Sequence, residues 1–337
     1  MLTEPADVDR EALTQLLTGH WSVQVASLDY LAVGFGSHHW VATDDRAGRW
    51  FVTVDDLRNA RWTATPYDQV RRAFETARAL HGDAGLEFVL APTPDDTGAV
   101  VRHLGAHHSV AVFPFLDATN AEFGEFPSVA DRRAVLGLVG RLHAATDRIP
   151  ADLPRREDFD LPGRRHLLAA MAQTDEPWHA GPFGEPTREL LRSSAAEVHK
   201  LLRRYDDLAA AVVGSAGSWV ITHGEPHAAN VLTDRRGARL LIDWDTVAVG
   251  PRERDLWMLT DDTAADWDAA DRAAYAATAG DVPLSTTALA LYRTRWALEE
   301  ICEYVSWFRA EHVRSRDTET GWSGLSDYLP VPDPLLA

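Results

Sequence analysis

Hydrophobic and polar positions along this chain follow two different periods, and the change of period divides it. Asp7–Leu17 has helical spacing, and Ser22–Val33, Ser37–Thr43 and Arg49–Leu57 then read as strands. Gly34-Phe35-Gly36 separates the first two strands, and the turn Asp44-Asp45-Arg46-Ala47-Gly48 precedes the third. Tyr67–His81 returns to helical spacing, with Val70, Phe74, Ala77 and Leu80 on one face. Glu87–Ala91 and Ser109–Phe113 complete a set of five strands, with the turn-rich Pro92–Gly98 after the first of them. From Ala130 the helical period dominates: Ala130–Thr146, Pro186–Arg204 with an extension toward Val213, Trp267–Ala279 and Ser285–His312. Three short strands interrupt it, Ser218–Ile221, Asn230–Thr233 and Arg239–Asp243, and Asp234-Arg235-Arg236-Gly237 forms a hairpin turn between the last two. The expectation is an α+β fold in two lobes. Residues 1–115 would form a small lobe with a five-stranded sheet and a helix, and residues 116–337 a larger helical lobe with an embedded β-hairpin. The boundary falls near Phe115–Asp117, where a strand ends beside Pro114.

Charge narrows the class of partner. The chain carries 51 acids against 33 bases, a net −18, so neither a nucleic-acid backbone nor an anionic membrane surface would attract it. A cationic small molecule would be attracted. The segment from Leu116 onward holds 36 of the acids and 24 of the bases, which agrees with such a partner. The lone cysteine, Cys302, can form neither an internal disulfide nor a cysteine zinc site, and reads as a small core residue. His103, His107 and His108 lie close together, but no acid is spaced to complete a zinc site with them. Met1–Arg10 is acidic and lacks an apolar core, and no run of 18 apolar residues occurs, so a cytoplasmic protein is expected. One usage is unusual. Lys200 is the sole lysine, and the other 32 bases are arginines.

The chemistry concentrates between Ile221 and Leu256. Thr222-His223-Gly224-Glu225-Pro226-His227-Ala228-Ala229-Asn230 leads into the hairpin, Ile242-Asp243-Trp244-Asp245 follows it, and Gly250-Pro251-Arg252-Glu253-Arg254-Asp255-Leu256 closes the block. A carboxylate in a sharp loop can accept the proton of an attacking hydroxyl. An amide oxygen five residues later, at Asn230, and a carboxylate after the hairpin, Asp243, are hard oxygen ligands of the kind that suit Mg²⁺. Base, amide and metal carboxylate together are the parts of a phosphoryl-transfer site.

These three spaced blocks resemble those of the aminoglycoside phosphotransferase family, a branch of the protein-kinase-like fold that also holds choline and homoserine kinases. Leu138-Val139-Gly140-Arg141-Leu142-His143-Ala144 is similar to the helix before the substrate region, and Val112-Phe113-Pro114-Phe115-Leu116 to the hinge strand that contacts adenine. The resemblance implies an enzyme that binds Mg²⁺ and ATP and transfers the γ-phosphoryl to a hydroxyl of a small molecule. It implies Glu225 as the catalytic base; His227 beside it reads either as an exposed loop residue or as a phosphate or substrate contact. It implies Asn230 and Asp243 as Mg²⁺ ligands, with Asp245 as a further ligand or structural acid. His223 and Asp255 match positions that brace the catalytic loop. Gly34 and Gly36, with Ser37 beside them, match the glycine loop over the phosphates, Phe113 and Phe115 line the hinge, and Glu75 matches the glutamate that pairs with the family's lysine.

Two residues depart from the pattern. Glu225 stands where the family usually has Asp, and Thr53 stands where the family has its phosphate-binding lysine. Arg49, Arg58, His38 and His39 are candidates for a replacement cation. A pseudokinase that binds a ligand or partner without transfer therefore stays open, as does a nucleotidyl transfer on the same scaffold. On the last long helix, Tyr292, Trp296, Glu299 and Glu303 share one face, and Leu298, Ile301, Val305 and Phe308 another. The second face reads as core. The first, aromatic and acidic, suits a cationic, hydroxylated substrate such as an aminoglycoside or aminocyclitol, with Trp296, Glu299 and Glu303 as its contacts.

Overall fold

The structure is a computed structural model that describes residues 1–59, 65–124, 126–214, 219–260 and 268–336. Helix α1 (Arg10–Trp21) begins at Asp9, whose carboxylate caps the Glu11 and Ala12 amides. Strands β1 (Val25–Tyr30), β2 (His38–Asp44) and β3 (Arg49–Asp56) follow, then α2 (Pro66–Gly82), β4 (Arg102–Leu104) and β5 (His108–Pro114). The strands form one antiparallel sheet in the order β1-β2-β3-β5-β4. Strand alternation gives this sheet two faces. Trp40, Ala42, Val52, Val54, Val110 and Val112 pack with Leu13, Leu17 and Trp21 of α1. On the other face Ala111 packs with Val70 and Phe74 of α2. His39, Thr53 and Ala111 stand opposite one another in register, so His39 and Thr53 share that second face.

The C-terminal part is mostly helical. It runs through β6 (Ala118–Thr119), α3 (Val129–His143), β7 (Arg155–Arg156), α4 (Arg164–Met171), α5 (Gly184–Ser193) and α6 (Ala195–Val213). Then come β8 (Val220–Thr222), β9 (Val231–Asp234), β10 (Arg239–Leu241), β11 (Ala248–Gly250) and α7 (Glu253–Leu256). Helices α8 (Ala269–Ala279), α9 (Thr286–Arg309), α10 (Arg316–Tyr328) and α11 (Asp333–Leu336) end the chain. Two small sheets sit among the helices, β10-β9-β6 and β7-β11-β8. One core surrounds α9, where Leu298, Ile301, Val305 and Phe308 pack with Leu167 of α4, Leu191 of α5 and Leu201 of α6, and Cys302 is buried with them. That is the core face read from the helical period. A second core joins Val135, Leu136, Val139 and Leu142 of α3 to Tyr275 of α8. No helix among the described residues is long and apolar enough to cross a membrane.

The mixed α+β fold, β-rich first and helical afterwards, agrees with the expectation, and several elements differ in detail. Ser22–Val33 shortens to β1. Glu87–Ala91 is not a sheet strand. It makes a single bridge, Val89 to Leu241, with the Leu241 amide donating to Phe88 O at 2.7 Å. Phe88 and Val89 are buried in the second core, so the apolar run marked burial and not a sheet. Arg102–Leu104, too short to show a period, is the fifth strand instead. The expected helix Pro186–Arg204 divides at Ser194 into α5 and α6. The hairpin's second strand stops at Leu241, two residues before Asp243. Helices α4, α10 and α11 were not foreseen. The expected starts at Ser218 and Trp267 lie outside the described residues.

Helices α3 and α8 meet closely at Gly140. A Cβ there would lie 2.4 Å from Thr278 Oγ1 and 2.7 Å from Tyr275 O. Alanine in a helix interior normally gains about 1 kcal/mol over glycine. Here backbone blocks the added methyl, and overpacking costs about 1–3 kcal/mol. The clash wins, so G140A is expected to lower the melting temperature, read by circular dichroism.

Candidate active site

The loop that carries Glu225 hangs from one buried carboxylate. Asp255, on α7, is fully buried. Its Oδ1 accepts from the Gly224 amide at 2.6 Å, and its Oδ2 accepts from the His223 amide at 3.0 Å and from His143 Nε2 at 3.0 Å. Burial works against ionisation, and the His143 hydrogen bond and charge together with His223 and Arg254 outweigh it, so its pKa falls below the usual carboxylate range. His143 is held in turn by the Tyr275 hydroxyl at 2.7 Å, which also accepts from Arg252 at 3.0 Å. Gly224 has φ +106, and a Cβ on it would meet Arg254 and Thr246 at 2.6 Å. Only glycine fits this bend between β8 and Glu225.

His223 is the strut across the loop. Its Nε2 donates to Ile242 O at 2.8 Å, and its Nδ1 accepts from the Glu225 amide at 3.2 Å. Burial lowers its pKa, so the ring is neutral with the proton on Nε2. One imidazole thus ties the backbone of Glu225 to the residue before Asp243. Asp243 is exposed and has φ +65, a left-handed conformation uncommon for a residue with a side chain. Asn230 Nδ2 donates to Glu225 O at 3.0 Å and to His227 Nε2 at 3.2 Å. Both bonds engage the amide nitrogen and neither uses Oδ1. Glu225 Oε2 lies 3.9 Å from His227 Nε2. That approach is a dipolar contact and not an ion pair, because burial lowers His227 to about 4 and leaves it neutral. An amide oxygen and a carboxylate match a divalent ion that takes few protein ligands and keeps water and phosphate oxygens. Asp245 is half-buried just beyond Asp243.

The sheet side of the site is less like the expectation. Gly34 and Gly36 have φ +70 and +89, as a tight loop between β1 and β2 requires. The Ser37 hydroxyl donates to Asp55 Oδ1 at 2.6 Å, so it turns to the sheet. Thr53 is buried, 3.3 Å from His39 Nδ1. Glu75, which by resemblance matches the partner of a strand lysine, pairs with Arg71 one turn away on α2, at 2.8 Å. Phe113 packs edge-on to Phe74, and Phe115 carries the Arg49 guanidinium 3.6 Å above its ring. Of the candidate replacement cations, Arg49 is therefore stacked on Phe115 and Arg58 is engaged by Asp56 and Asp7. Burial pushes His38 down to about 4, so it is neutral as well.

Two groups of aromatic side chains lie along α9, one against the Glu225–Asn230 loop and one against the glycine loop. Phe123 lies edge-on to His227 and stacks on Trp296, with centroids 4.8 and 5.9 Å apart. Trp257 packs on Trp296, whose Nε1 donates to the Tyr328 hydroxyl at 2.8 Å. Further along α9, Tyr304 and Trp307 each contact Phe35 of the glycine loop at 5.9 Å. Of the acids foreseen on this face, Glu299 is paired with Arg295 at 2.9 Å, and Glu303 is half-buried. Glu300, one position off the foreseen stripe, is half-buried like Glu299 and Glu303. Burial pushes its pKa up to about 7, and Glu303 and Glu299 add to the rise against a hydrogen bond from Tyr304. Tyr292 is buried beneath the stripe and belongs to the core.

Residues 29–292 match the phosphotransferase enzyme family. The chain belongs to that family. It is also 30% identical over 271 residues to Protein StrN of Streptomyces griseus, an alignment that covers 77% of each chain. Its fold is similar to that of spectinomycin phosphotransferase APH(9)-Ia crystallised with ADP and spectinomycin, with a TM-score of 0.71 at 17% identity over 95% and 94% of the two chains. It is likewise similar to amicoumacin kinase hAmiN in complex with AMP-PNP, Ca²⁺ and Ami, with a TM-score of 0.57 at 13% identity over 96% and 95%.

The structure of this phosphotransferase brings Glu225, His223, His227, Asn230 and Asp243 into one loop-and-hairpin unit, with Trp296 beside it through Phe123. Sequence reasoning quoted His143 within its helix without seeing its link to Asp255, and missed Phe123, Trp257 and Glu300. Their one signal was chemical type, since no local spacing relates them to the motif. Asp255→Asn keeps one acceptor oxygen and replaces the other by a donor, leaving a buried donor unmatched at a cost of about 1–3 kcal/mol. Because the folded-state pKa is depressed, the stabilisation from Asp255 is complete above the unfolded carboxylate value, about 3.9, and is lost as pH falls through the folded value. The wild type is therefore expected to lose stability over D255N's baseline as pH drops below 4, measured as melting temperature against pH.

Proposed function

We propose that this phosphotransferase moves the γ-phosphoryl group of ATP to a hydroxyl of a small cationic molecule of the aminoglycoside or aminocyclitol class. The observation that carries the reading is the unit of Glu225, Asn230 and Asp243, held in mutual register by His223 and Asp255. In this reading residues 1–115 and 116–337 are two lobes, and the nucleotide lies between the glycine loop and the Asp243 side of the hairpin. Asn230 and Asp243 would hold Mg²⁺, which when bound neutralises charge on the phosphates. Glu225 orients the acceptor hydroxyl and takes its proton as the new phosphoester forms. Its arm is one methylene longer than the usual Asp, and the His223 bond to its amide sets the loop from which it reaches. The compartment we propose is the cytoplasm, where ATP is available.

The acceptor would lie along the aromatic group beside the Glu225–Asn230 loop, with Trp296, Trp257 and Phe123 offering faces to it and Glu300 and Glu303 offering charge to an ammonium group. That similar folds hold spectinomycin and amicoumacin supports an antibiotic-like acceptor. Thr53 at the strand lysine position favours a second reading, a ligand-binding protein without transfer. Two substitutions separate the readings. E225Q is expected to lower kcat by about 100- to 10,000-fold with little change in ATP binding. D243N is expected to abolish Mg²⁺-dependent ATP binding and lower turnover by on the order of 100- to 1,000-fold, followed by coupled ADP release with an aminocyclitol panel. Wild type that binds an aminocyclitol but releases no ADP would leave the second reading.

Glu300 adds a pH dependence. With a pKa near 7, it is half protonated at neutral pH and charged above it. An ammonium substrate binds the charged form better, so KM is expected to fall as pH rises from 6 to 8. In E300Q that slope should flatten, read from initial rates at saturating ATP.

A further inference from the structure

A triphosphate under a glycine loop needs a donor or cation on the sheet behind it, and protein kinases place a lysine on the third strand for this. Here that position is Thr53, and the sole lysine, Lys200, lies on α6. Among the described residues, Arg49 stacks on Phe115, Arg58 pairs with Asp56 and Asp7, and Arg71 pairs with Glu75 and Asp68. His39 is placed differently. It is the second residue of β2, directly after the glycine loop, and it stands opposite Thr53 on the face that carries α2. Its ring packs on Phe51 with centroids 4.8 Å apart, which fixes the plane of the imidazole. Its Nδ1 is 3.3 Å from Thr53 Oγ1. Its Nε2 points to the glycine loop, since a Cβ on Gly34 would stand 3.4 Å from it.

We propose that His39 takes the place of the strand lysine and holds a β- or γ-phosphate oxygen of the nucleotide through Nε2. The inference rests on the phosphotransfer reading above. Thr53 then has a role of its own. A hydroxyl that donates to Nδ1 leaves the ring proton on Nε2, where it points at the loop that covers the phosphates. Gly34 has no side chain, so the imidazole edge can approach the loop backbone. Glu75, with no lysine across from it, is neutralised by Arg71 within its own helix. Thr53, His39 and the Arg71–Glu75 pair thus form one consistent rearrangement of the sheet side of the site.

The test is calorimetric titration of the full chain with Mg²⁺ and either AMP-PNP or AMP. Phe replaces His39 without losing the ring stacked on Phe51, so H39F removes the donor and keeps the packing. H39F is expected to bind AMP-PNP about tenfold more weakly and AMP as wild type does, since a hydrogen bond to a charged group accounts for about that factor. T53V keeps the shape of Thr53 and removes the hydroxyl, and is expected to weaken AMP-PNP binding about threefold. The double variant H39F/T53K should recover AMP-PNP affinity, because a lysine at the strand position performs the same task. A role for His39 in structure alone would lower both affinities and would not respond to the lysine. Equal AMP-PNP affinity in H39F and wild type overturns the proposal while leaving phosphotransfer intact. Wild type that binds neither nucleotide overturns phosphotransfer itself.

Discussion

Asp255 is the constraint on which the site depends. A carboxylate with no solvent exposure is costly to ionise, and it persists because three donors from two other parts of the chain converge on it. His143 comes from α3, and the His223 and Gly224 amides come from the end of β8. Removing the charge would weaken all three. Glu225 follows Gly224 directly, so the position of the proposed base is set by a group that never meets substrate. The left-handed backbone at Asp243 is held from the same side, through the His223 bond to Ile242. Strain at the proposed metal ligand is thus balanced by a buried polar network behind it.

A second buried network ties that loop to helix α9. Glu157 is buried between Arg295 of α9, at 2.7 Å, and Arg254 of α7, at 3.4 Å. Burial opposes its charge, but the two guanidinium groups hold its pKa at about 2. Arg254 also donates to Thr222 Oγ1 and Thr246 O, on either side of that loop. Helix α9 is therefore anchored to the loop by charge on one side and packed into the core by Ile301, Val305 and Phe308 on another. Its remaining face carries Trp296, Glu300 and Tyr304. Helix α9 and the Gly224-Glu225 loop are thus tied through one buried ion network, and contact of Phe35 with Tyr304 and Trp307 brings the glycine loop to the same helix.

The parts legible in the sequence share a physical property: their geometry is set over a few residues. The hairpin Asp234–Gly237, the Gly34–Gly36 loop and the Glu225–Asn230 spacing are local, so residue type and separation predict them. The core face of α9 follows from the helical period alone. Where reading failed, burial had been separated from pairing. Glu87–Ala91 is as apolar as a strand, yet it packs under the hairpin and makes one bridge. Arg102–Leu104 has too few residues for a period and is a strand because β5 lies beside it.

Residue chemistry along the chain was enough to determine the α+β class, the identity of the loop carboxylate, amide and hairpin acid, and the excess of acid that favours a cationic partner. Partnership was decided by the tertiary structure. Whether Glu75 meets a strand cation or Arg71, whether Glu299 or Glu300 pairs with Arg295, and whether His38 or His39 faces the glycine loop each depend on which way a side chain points on a packed element. One position along a strand reverses the face, and one position along a helix turns the side chain by about 100°. Hydrogen bonds and desolvation act over a few ångströms, so a composition that sets the chemistry cannot by itself set the pairs.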